Sequence, residues 1–346
     1  MGVFSAGGIG IDLGSENTVI ALESEGVVLR EPTCALTHAD NENEVIALGR
    51  EAKRMFGRTD AETDLQEPVQ YGAVANAELC AMCLLAACEK AVNKRHPFEK
   101  NRLAITFPHA ATRVEKKALS DAVILAGGKK SLMVKSSVAA ALGANLKIDR
   151  PSGTLVIMIG SRRTEVSILS LNGVVASRTM MTGSHAFNEA IVRYVRREKG
   201  LVIGIPTAEN LKKDIGCAIK PEGKLDQLML RGRHVLSGKP STETVTAEDV
   251  FNAIEEPVRA IVEMISDALY NVPAELTGDI LENGLFLTGG GAMLTGLSER
   301  LKKETRLKVT VSSDPMSDAA LGALKAACDD RLARSLLIAG SAFEIL

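Results

Sequence analysis

One short turn carries residues whose types and spacing suit it to holding a phosphate group. It is Gly14-Ser-Glu-Asn-Thr18, which directly follows an apolar segment. Small residues in a tight turn let backbone N–H groups approach phosphate oxygens closely. Asp12, just before the turn, is placed to hold a Mg²⁺ ion through water. One such turn is weak evidence by itself, because most Gly-Ser hairpins bind nothing.

Three consecutive glycines near the C-terminus form a second candidate site. The segment Gly284-Leu-Phe-Leu-Thr-Gly-Gly-Gly-Ala-Met293 predicts a strand followed at once by the glycines and a helix. Backbone of this kind can pack flat against a ligand, and a helix that begins there presents its N-terminus to an anion. Two loops of the first kind together with this triad would form a nucleotide-binding cleft.

A sequence repeat supplies the second loop. Residues Ile11–Leu22 continue through Glu25-Gly26 into an apolar pair, and Ile157–Ile168 continue through Asn172-Gly173 in the same way. In both copies an apolar strand reaches a Gly-Ser turn, a Thr opens the next strand, and a glycine turn begins a third. Asn172-Gly173 predicts a type I′ turn, because both residues tolerate a positive φ. The repeat indicates two related lobes that face each other, each with one hairpin loop directed at the space between them.

Helical patterns follow each group of strands. Thr112-Arg-Val-Glu115 predicts a capping box, and the helix it opens is expected to end at Gly127-Gly128. A second capped helix is predicted from near Thr207, and a longer one from about Thr246 carries apolar residues at helical spacing. Strand clusters that alternate with helices in each half predict an α/β protein with a mixed sheet in each lobe.

Composition narrows the class of protein. The 346 residues include 41 Lys and Arg against 43 Asp and Glu, so the chain is nearly neutral. This balance argues against a nucleic-acid-binding surface, which would be strongly basic. No apolar run reaches the roughly 20 residues of a membrane span, and the N-terminus lacks the features of a secretory signal. A cytoplasmic protein is expected.

The cysteines fit a reducing compartment. Cys80-Ala-Met-Cys83 has the spacing of a metal-binding pair, but Leu79, Met82, Cys83 and Ala86 fall on one face of a helical pattern. No second Cys pair or nearby His completes a metal site. Buried helix thiols are therefore predicted.

Several blocks of sequence resemble a known family in content and order. They are Gly10–Thr18, Val28–Pro32, Gly49–Thr59, Thr207–Lys212, Arg231–Arg233, Pro273–Ile280 and Leu287–Ala292. Together they are similar to the MreB family of bacterial actins, from about residue 9 to residue 327. The resemblance implies an actin-like fold with two lobes around an ATP cleft. Lobe I would comprise residues 1–147 and 316–346, with a small subdomain at 32–75; lobe II would comprise 148–315, with a small subdomain at 186–248.

The resemblance also implies an activity and a setting. Members of the family form filaments on the inner face of the cell membrane, and act in cell shape with the cell-wall elongation machinery. ATP or ADP and Mg²⁺ are the expected cofactors, with Asp12 on the metal side. The nucleotide-binding positions carried over by matching motifs are Asp12, Gly14, Ser15, Glu16, Asn17, Thr18, Gly160, Ser161, Arg162, Arg163, Glu209, Asn210, Leu211, Lys212, Gly289, Gly290, Gly291 and Ala292. Without the resemblance, Glu209 and Lys212 would be interpreted as an exposed helix pair.

The chain departs from the family pattern where ATP hydrolysis would take place. Met158 stands at the second metal-side acid, and a thioether is a poor ligand for Mg²⁺. Arg162 and Arg163 replace a Gly and a Thr, and would either block the phosphate or bind it through charge-assisted bonds. Ser136 stands at the water-orienting Glu, and serine cannot accept a proton near neutral pH. His185 replaces an Asp. A single His of this kind is more often structural than catalytic.

Three functions remain open at this stage. The leading hypothesis is a filament protein that binds ATP and hydrolyses it slowly or not at all. The second is a nucleotide-free scaffold that polymerises or caps other filaments, and the third is a sugar or acetate kinase of the same superfamily. No insertion in the chain offers a second substrate pocket for a kinase, and a related chaperone would need a further substrate domain.

Membrane contact is predicted from a few apolar residues. Val3 and Phe4 lie near the N-terminus, and Phe98 falls where the family carries a hydrophobic loop. Such contacts are weak singly and gain strength along a filament. The apolar tail 332–346 lies beyond the resemblance. It is predicted either to be a helix docked on its own lobe or to contact a membrane or partner.

Overall fold

The computed structural model describes residues 7–58, 62–99, 101–129, 131–223, 226–270, 272 and 274–345, without the side chains of residues 42 and 43. Val3 and Phe4, predicted to touch a membrane, lie outside the described residues. Two compact units make up the chain. The first comprises residues 1–156, 167–177 and 316–346, and the second comprises 157–166 and 178–315. The lobe and subdomain boundaries drawn from the sequence stay predictions.

The strands of the described residues are, in chain order, β1 Gly8–Leu13, β2 Asn17–Leu22, β3 Gly26–Pro32, β4 Ala35–His38, β5 Asn41–Leu48, β6 Thr63–Gln66, β7 Val69–Gln70, β8 Ala73–Val74, β9 Arg102–Phe107, β10 Ser131–Lys135, β11 Thr154–Ile159, β12 Thr164–Ser170, β13 Gly173–Met180, β14 Leu201–Val202, β15 Gln227–His234, β16 Pro240–Thr246, β17 Leu285–Thr288, β18 Val309–Val311 and β19 Ala342–Ile345. The helices are α1 Gly49–Met55, α2 Ala77–Val92, α3 Arg113–Leu125, α4 Ser136–Gly143, α5 Ser184–Glu198, α6 Ile205–Ile215, α7 Ala247–Tyr270, α8 Ala274–Asn283, α9 Leu297–Thr305, α10 Asp318–Cys328 and α11 Asp330–Ile338.

A mixed sheet of six strands positions the first loop. Its order is β19-β10-β9-β1-β2-β3, with β1, β9 and β10 parallel and β2, β3 and β19 antiparallel to their neighbours. Alternate residues of β1 and β2 face opposite ways, as the pleat requires. Ile9, Ile11 and Ile20 pack in one core with residues of α2 and α3, while Val19 and Ala21 pack against α10.

The predicted repeat takes the same form in both copies. β1, β2 and β3 form a meander with the Gly-Ser turn between the first two strands. β11, β12 and β13 lie side by side in the second copy, within a five-stranded sheet of order β13-β12-β11-β17-β18. Three-stranded sheets β5-β4-β6 and β14-β15-β16 and the pair β7-β8 complete the sheets of the described residues.

The second hairpin turn lies one residue earlier than predicted. Leu171 and Asn172 hold the positive φ values, 51° and 59°, and Gly173 opens β13. Contacts distant in sequence hold this turn: the Leu171 and Asn172 N–H groups donate to the carbonyls of Arg150 and Ile148. The Asn172 side-chain amide also donates to Ser335 Oγ at 2.9 Å. The hairpin prediction is confirmed, but its placement on Asn172-Gly173 was wrong.

The capped helices follow the sequence signals closely. Thr112 and Glu115 form the capping box of α3, and the chain turns at Gly127 with φ +95°. Thr246 and Asp249 bond each other reciprocally at the start of α7. The predicted start near Thr207 was late, because α6 begins at Ile205 with Pro206 in its first turn and no side-chain cap.

Buried thiols lie on α2, as predicted. Cys80 and Cys83 are free and buried, and desolvation raises the pKa of each to about 12. They therefore remain protonated, and a protonated thiol is a poor metal ligand. Met82 does not share this face, since it is 42% exposed. The assignment of Met82 to the buried face was wrong.

Phe98 does not form an exposed apolar loop. Its side chain is only 8% exposed and belongs to the core that β1, α2 and α3 share. Burial of an aromatic ring in that core is more favourable than its exposure on a loop. The prediction that Phe98 contacts a membrane is corrected accordingly.

The C-terminal tail docks on the first unit through two elements. Leu336 of α11 is fully buried, and β19 pairs antiparallel with β10. The tail is thus not a single helix, because the helix ends at Ile338 and a strand follows. Ile338 is 89% exposed. Within the described residues, no helix is both long and apolar enough to cross a membrane.

Candidate functional site

The first loop is a tight turn whose side chains bind their surroundings. The Gly14 N–H donates to the Asn17 carbonyl at 3.1 Å. Ser15 Oγ accepts the Gly72 N–H at 2.9 Å, and Glu16 pairs with Lys53. The Thr18 hydroxyl is buried against that of Thr33 at 2.9 Å. These bonds fix the loop, so its backbone is the part suited to bind phosphate.

Asp12 lies at the end of β1, beneath this turn. The Thr106 hydroxyl donates to Asp12 Oδ1 at 2.5 Å. Desolvation raises the pKa of Asp12, and the Thr106 bond opposes that rise only partly. The protonated carboxyl is therefore favoured more than in an exposed aspartate.

The second loop repeats the turn and rests on the start of α5. The Gly160 N–H donates to the Arg163 carbonyl at 2.8 Å. The Ser184 and His185 N–H groups donate to the carbonyls of Gly160 and Ser161 at 2.9 and 2.8 Å. The loop carbonyls thus satisfy N–H groups of the first turn of α5, which have no partner within the helix.

The glycine triad packs on the residue that precedes the second loop. A side chain at Gly289, whose φ is +83°, would meet the Ile159 carbonyl oxygen at 2.5 Å. One at Gly291 would meet Ile159 Cγ2 at 2.2 Å. Only glycine allows this approach, which brings two of the predicted pieces together. The predicted helix after the triad is instead a single 3₁₀ turn, Gly290–Met293, and α9 begins at Leu297.

Helix α6 brings one cation to the same place. Lys212 Nζ donates to the Ser184 carbonyl at 3.3 Å, next to the bonds that hold the second loop. Glu209 pairs with Lys213, one helical turn further along, at 2.6 Å. Asn210 is exposed, whereas Leu211 is 2% exposed and belongs to the core.

The positions that depart from the family pattern are accessible. Met158 at the end of β11, Arg162 and Arg163 in the second loop, and Ser136 at the first residue of α4 are all half-buried. His185 Nε2 lies 3.6 Å from a Glu189 carboxylate oxygen one helical turn away. This contact is consistent with the structural role expected for His185.

The donor set does not fit a tightly held Mg²⁺ ion. Mg²⁺ requires oxygen ligands in near-octahedral geometry. In the second unit Met158 offers only a thioether, and in the first unit the Asp12 carboxylate accepts the Thr106 bond and has a pKa raised by burial. Among the residues that the structure describes, no group of three or more His, Cys, Asp or Glu could hold a metal ion.

Sequence reasoning missed Gly183 and Ser184. A Cβ at Gly183 would lie 2.4 Å from the Gly160 carbonyl oxygen and 2.5 Å from that of Ser161. Thr164 also bonds this segment, donating to the Thr182 carbonyl at 2.7 Å. The signal available was a glycine placed between a strand and the start of a helical pattern.

These geometries together define the class of protein. Two units, each with a sheet that carries a Gly-Ser hairpin loop, are typical of actin-like proteins. The structure of MreB5 of Spiroplasma citri, solved with AMPPNP, superposes with a TM-score of 0.88 at 27% identity, covering 97% of this chain and 99% of that chain. The same protein solved with ADP gives 0.87. The predicted actin-like fold is confirmed.

The family follows from sequence comparison. The profile of the MreB/Mbl protein family matches residues 6–333. The cell shape-determining protein MreB of Escherichia coli K12 is 36% identical over 328 residues, covering 94% of each chain. Mbl of Bacillus subtilis 168 is 35% identical over 314 residues, covering 91% of this chain and 93% of that protein. The chain belongs to the MreB/Mbl family and is an actin-like cytoskeletal protein, as the motifs predicted.

Proposed function

We propose that this protein forms nucleotide-binding filaments at the inner face of the cell membrane, with a role in cell shape and cell-wall synthesis. It binds ATP or ADP and hydrolyses ATP slowly or not at all. Its expected partners are further copies of itself, the membrane surface and proteins of cell-wall elongation, with no nucleic acid. It is expected in the cytoplasm, peripheral to the membrane.

One observation carries the nucleotide-binding part of the proposal. In the second unit the loop Gly160–Arg163, the glycine triad and Lys212 meet around Ile159 and Ser184. This group combines a turn of backbone amides, a stretch of glycine backbone, and a cation. Amides and cations are the groups that bind phosphate, and flat backbone suits a base or ribose. Crystals of Spiroplasma citri MreB5 with AMPPNP and with ADP support the same conclusion.

Slow hydrolysis follows from the residues at two positions. Neither Ser136 nor Met158 carries a carboxylate, so one cannot take a proton from water and the other cannot bind a hard cation. The loss concerns chemistry and leaves the binding surface in place. A protein of this kind would hold nucleotide as a stable structural ligand.

Filament formation and membrane attachment rest on membership of the family. The relatives in Escherichia coli and Bacillus subtilis are named as cell shape-determining proteins. Head-to-tail contacts that do not close generate filaments. Repetition along a filament multiplies weak membrane contacts such as those expected of Val3 and Phe4. Electron microscopy on lipid, with and without nucleotide, should show straight protofilaments, and a strictly monomeric protein would contradict this part.

Thermal unfolding with ATP tests nucleotide binding. A ligand that binds only the folded state stabilises it by about 2.7 kcal/mol at a hundredfold excess over Kd. Wild type should therefore melt at a higher temperature in millimolar ATP. Lys212→Met should lose most of the shift, whereas Lys213→Met should keep it, because Lys213 pairs with Glu209 on the exposed side of the same helix. No shift in wild type would favour the nucleotide-free scaffold.

A further inference from the structure

The segment 158–163 carries two cationic side chains and no carboxylate. Within six residues it contains Met158, where a carboxylate would hold a divalent cation, and then Arg162 and Arg163. Both guanidinium-bearing residues are half-buried, so their charges act through a medium less polar than water and are screened less by salt. This segment therefore lacks a carboxylate to bind a metal cation, and it supplies positive charge through its own side chains instead.

A nucleotide polyphosphate needs its negative charge neutralised wherever it binds. Mg²⁺ normally does this through phosphate oxygens and one or two carboxylates, and the second loop has the thioether of Met158 in place of such a carboxylate. An arginine guanidinium can take the same role, because its planar fork donates two parallel bonds to phosphate and its charge is fixed.

The geometry of the second unit places these cations at the phosphate end of the candidate site. The Gly160 N–H to Arg163 carbonyl bond, 2.8 Å, closes the turn that carries both arginines. Gly289 and Gly291 pack on Ile159 at the start of that turn. Lys212 Nζ lies 3.3 Å from the Ser184 carbonyl, and the Ser184 N–H bonds Gly160. Arg162 and Arg163 thus lie in this turn, and Lys212 contacts the start of α5 that supports it.

We propose that this protein binds nucleoside triphosphate free of divalent metal, with Arg162 and Arg163 neutralising the phosphates that Mg²⁺ neutralises elsewhere. The inference rests on the nucleotide binding proposed above. It assigns the two arginines a positive role, in place of the alternative in which they obstruct the loop. Metal-free binding would also separate nucleotide occupancy from hydrolysis, since the arginines supply charge and no activated water.

Equilibrium binding of ATP with and without metal tests the inference directly. Affinity is measured by calorimetry on the full chain, once in excess MgCl₂ and once in EDTA. We expect ATP to bind in EDTA at least as tightly as in MgCl₂. The variant Arg162→Gln/Arg163→Gln should bind at least about tenfold more weakly in EDTA, a loss of about 1.4 kcal/mol, because its amides carry no charge to neutralise the phosphates. The control Arg259→Gln removes one exposed charge from α7 of the same unit and should bind as wild type does.

The possible outcomes distinguish a failure of metal-free binding from a failure of nucleotide binding itself. Wild-type binding that is reproducibly tighter with MgCl₂ than with EDTA would overturn metal-free recognition and leave nucleotide binding intact. No binding under either condition would overturn both. The wild-type comparison holds even if the double variant does not fold, and a melting curve of that variant detects such a failure. Equal affinities for wild type and folded double variant in EDTA would also overturn the role given to the arginines.

Discussion

The two Gly-Ser loops share a backbone turn and differ in their two central side chains and in the elements that support them. Each closes with the same bond, from the N–H of Gly14 to Asn17 in one and from Gly160 to Arg163 in the other. The first is backed by the residue that follows β3, through the Thr33 N–H to the Glu16 carbonyl. The second is backed by the start of a helix. The turn is therefore a local property of small residues between two strands, while the chemistry depends on side chains that the turn does not constrain.

The largest expected effect is on the rate of ATP hydrolysis, when residues of the second loop and of the two altered catalytic positions are replaced. Wild type is expected to release phosphate near the background rate. Restoring both carboxylates by Ser136→Glu and Met158→Asp, with Arg162→Gly and Arg163→Thr to restore the family's residues in the loop, should raise release in MgCl₂ by about 10²- to 10⁴-fold, the usual contribution of a general base. Either carboxylate alone should recover little, because groups that act as a unit are not additive. Wild-type turnover at the rate of the restored variant would show that neither position limits hydrolysis.

The support of the second loop is the next target. Gly183→Ala should lower the free energy of unfolding by about 1–3 kcal/mol, because the added methyl meets two carbonyl oxygens of the loop. Gly278→Ala on α8 is the matched control. No atom lies within 4 Å of its added methyl, and alanine is favoured over glycine in a helix by about 1 kcal/mol. Denaturant unfolding should thus show opposite signs, and two changes of the same sign would contradict the packing described.

A buried carboxylate near the first loop should make stability depend on pH. Glu31 pairs with Thr18 across β2 and β3 and is 6% exposed. Desolvation raises its pKa, but bonds from Lys90 at 2.8 Å and the Arg50 N–H at 2.9 Å outweigh that effect and leave the pKa lowered.

The sign of this effect follows from the lowered pKa. Ionised Glu31 stabilises the folded state above its ordinary pKa of 4.5, and this contribution is lost as pH falls through the lower folded-state value. Glu31→Gln should cost about 1.5 kcal/mol at pH 7. The cost should shrink as the pH falls below 4.5, and urea titrations at several pH values measure it. A cost that does not change with pH would mean that packing, and not charge, explains it.

The smallest expected effect distinguishes the two threonines that open the second strand of each copy. Thr18→Val and Thr164→Val should each cost about 1 kcal/mol, since each removes one buried hydrogen bond. Thr18→Val combined with Thr33→Val should recover part of that cost, because both hydroxyls are then gone. No substitution can do this for Thr164, whose acceptor is the Thr182 carbonyl. A combined variant as unstable as the sum of its parts would argue against the Thr18–Thr33 bond.

The sequence predicts those features whose causes are local. The Gly-Ser turns, the Thr112–Glu115 capping box and the buried face of α7 each depend on a few neighbouring residues, and each is present in the structure. The motif blocks also identify the family. Features that depend on distant contacts were missed or misplaced. The Leu171–Asn172 turn is held by Ile148, Arg150 and Ser335.

The candidate site shows the same division. Matching motifs selected Lys212 and the triad, but the bond from Lys212 to Ser184 and the packing of glycines on Ile159 arise only on folding. Phe98 was expected on a loop surface because it falls where the family carries a hydrophobic loop, but its side chain is buried in the core. Leu211 is buried and packs α6 onto the core. Motif matching alone cannot distinguish such a packing residue from one that contacts a ligand.

The last strand of the chain has a consequence for solubility. β19 lies beyond residue 333, where the family match ends. It pairs with Ser131–Val134 of β10. Without this cover, β10 would offer a row of open N–H and C=O groups beside apolar side chains, which is a template for pairing with other chains. By pairing with β10, β19 covers this edge of the six-stranded sheet. A protein that is expected to assemble into filaments is thereby prevented from also associating through that edge.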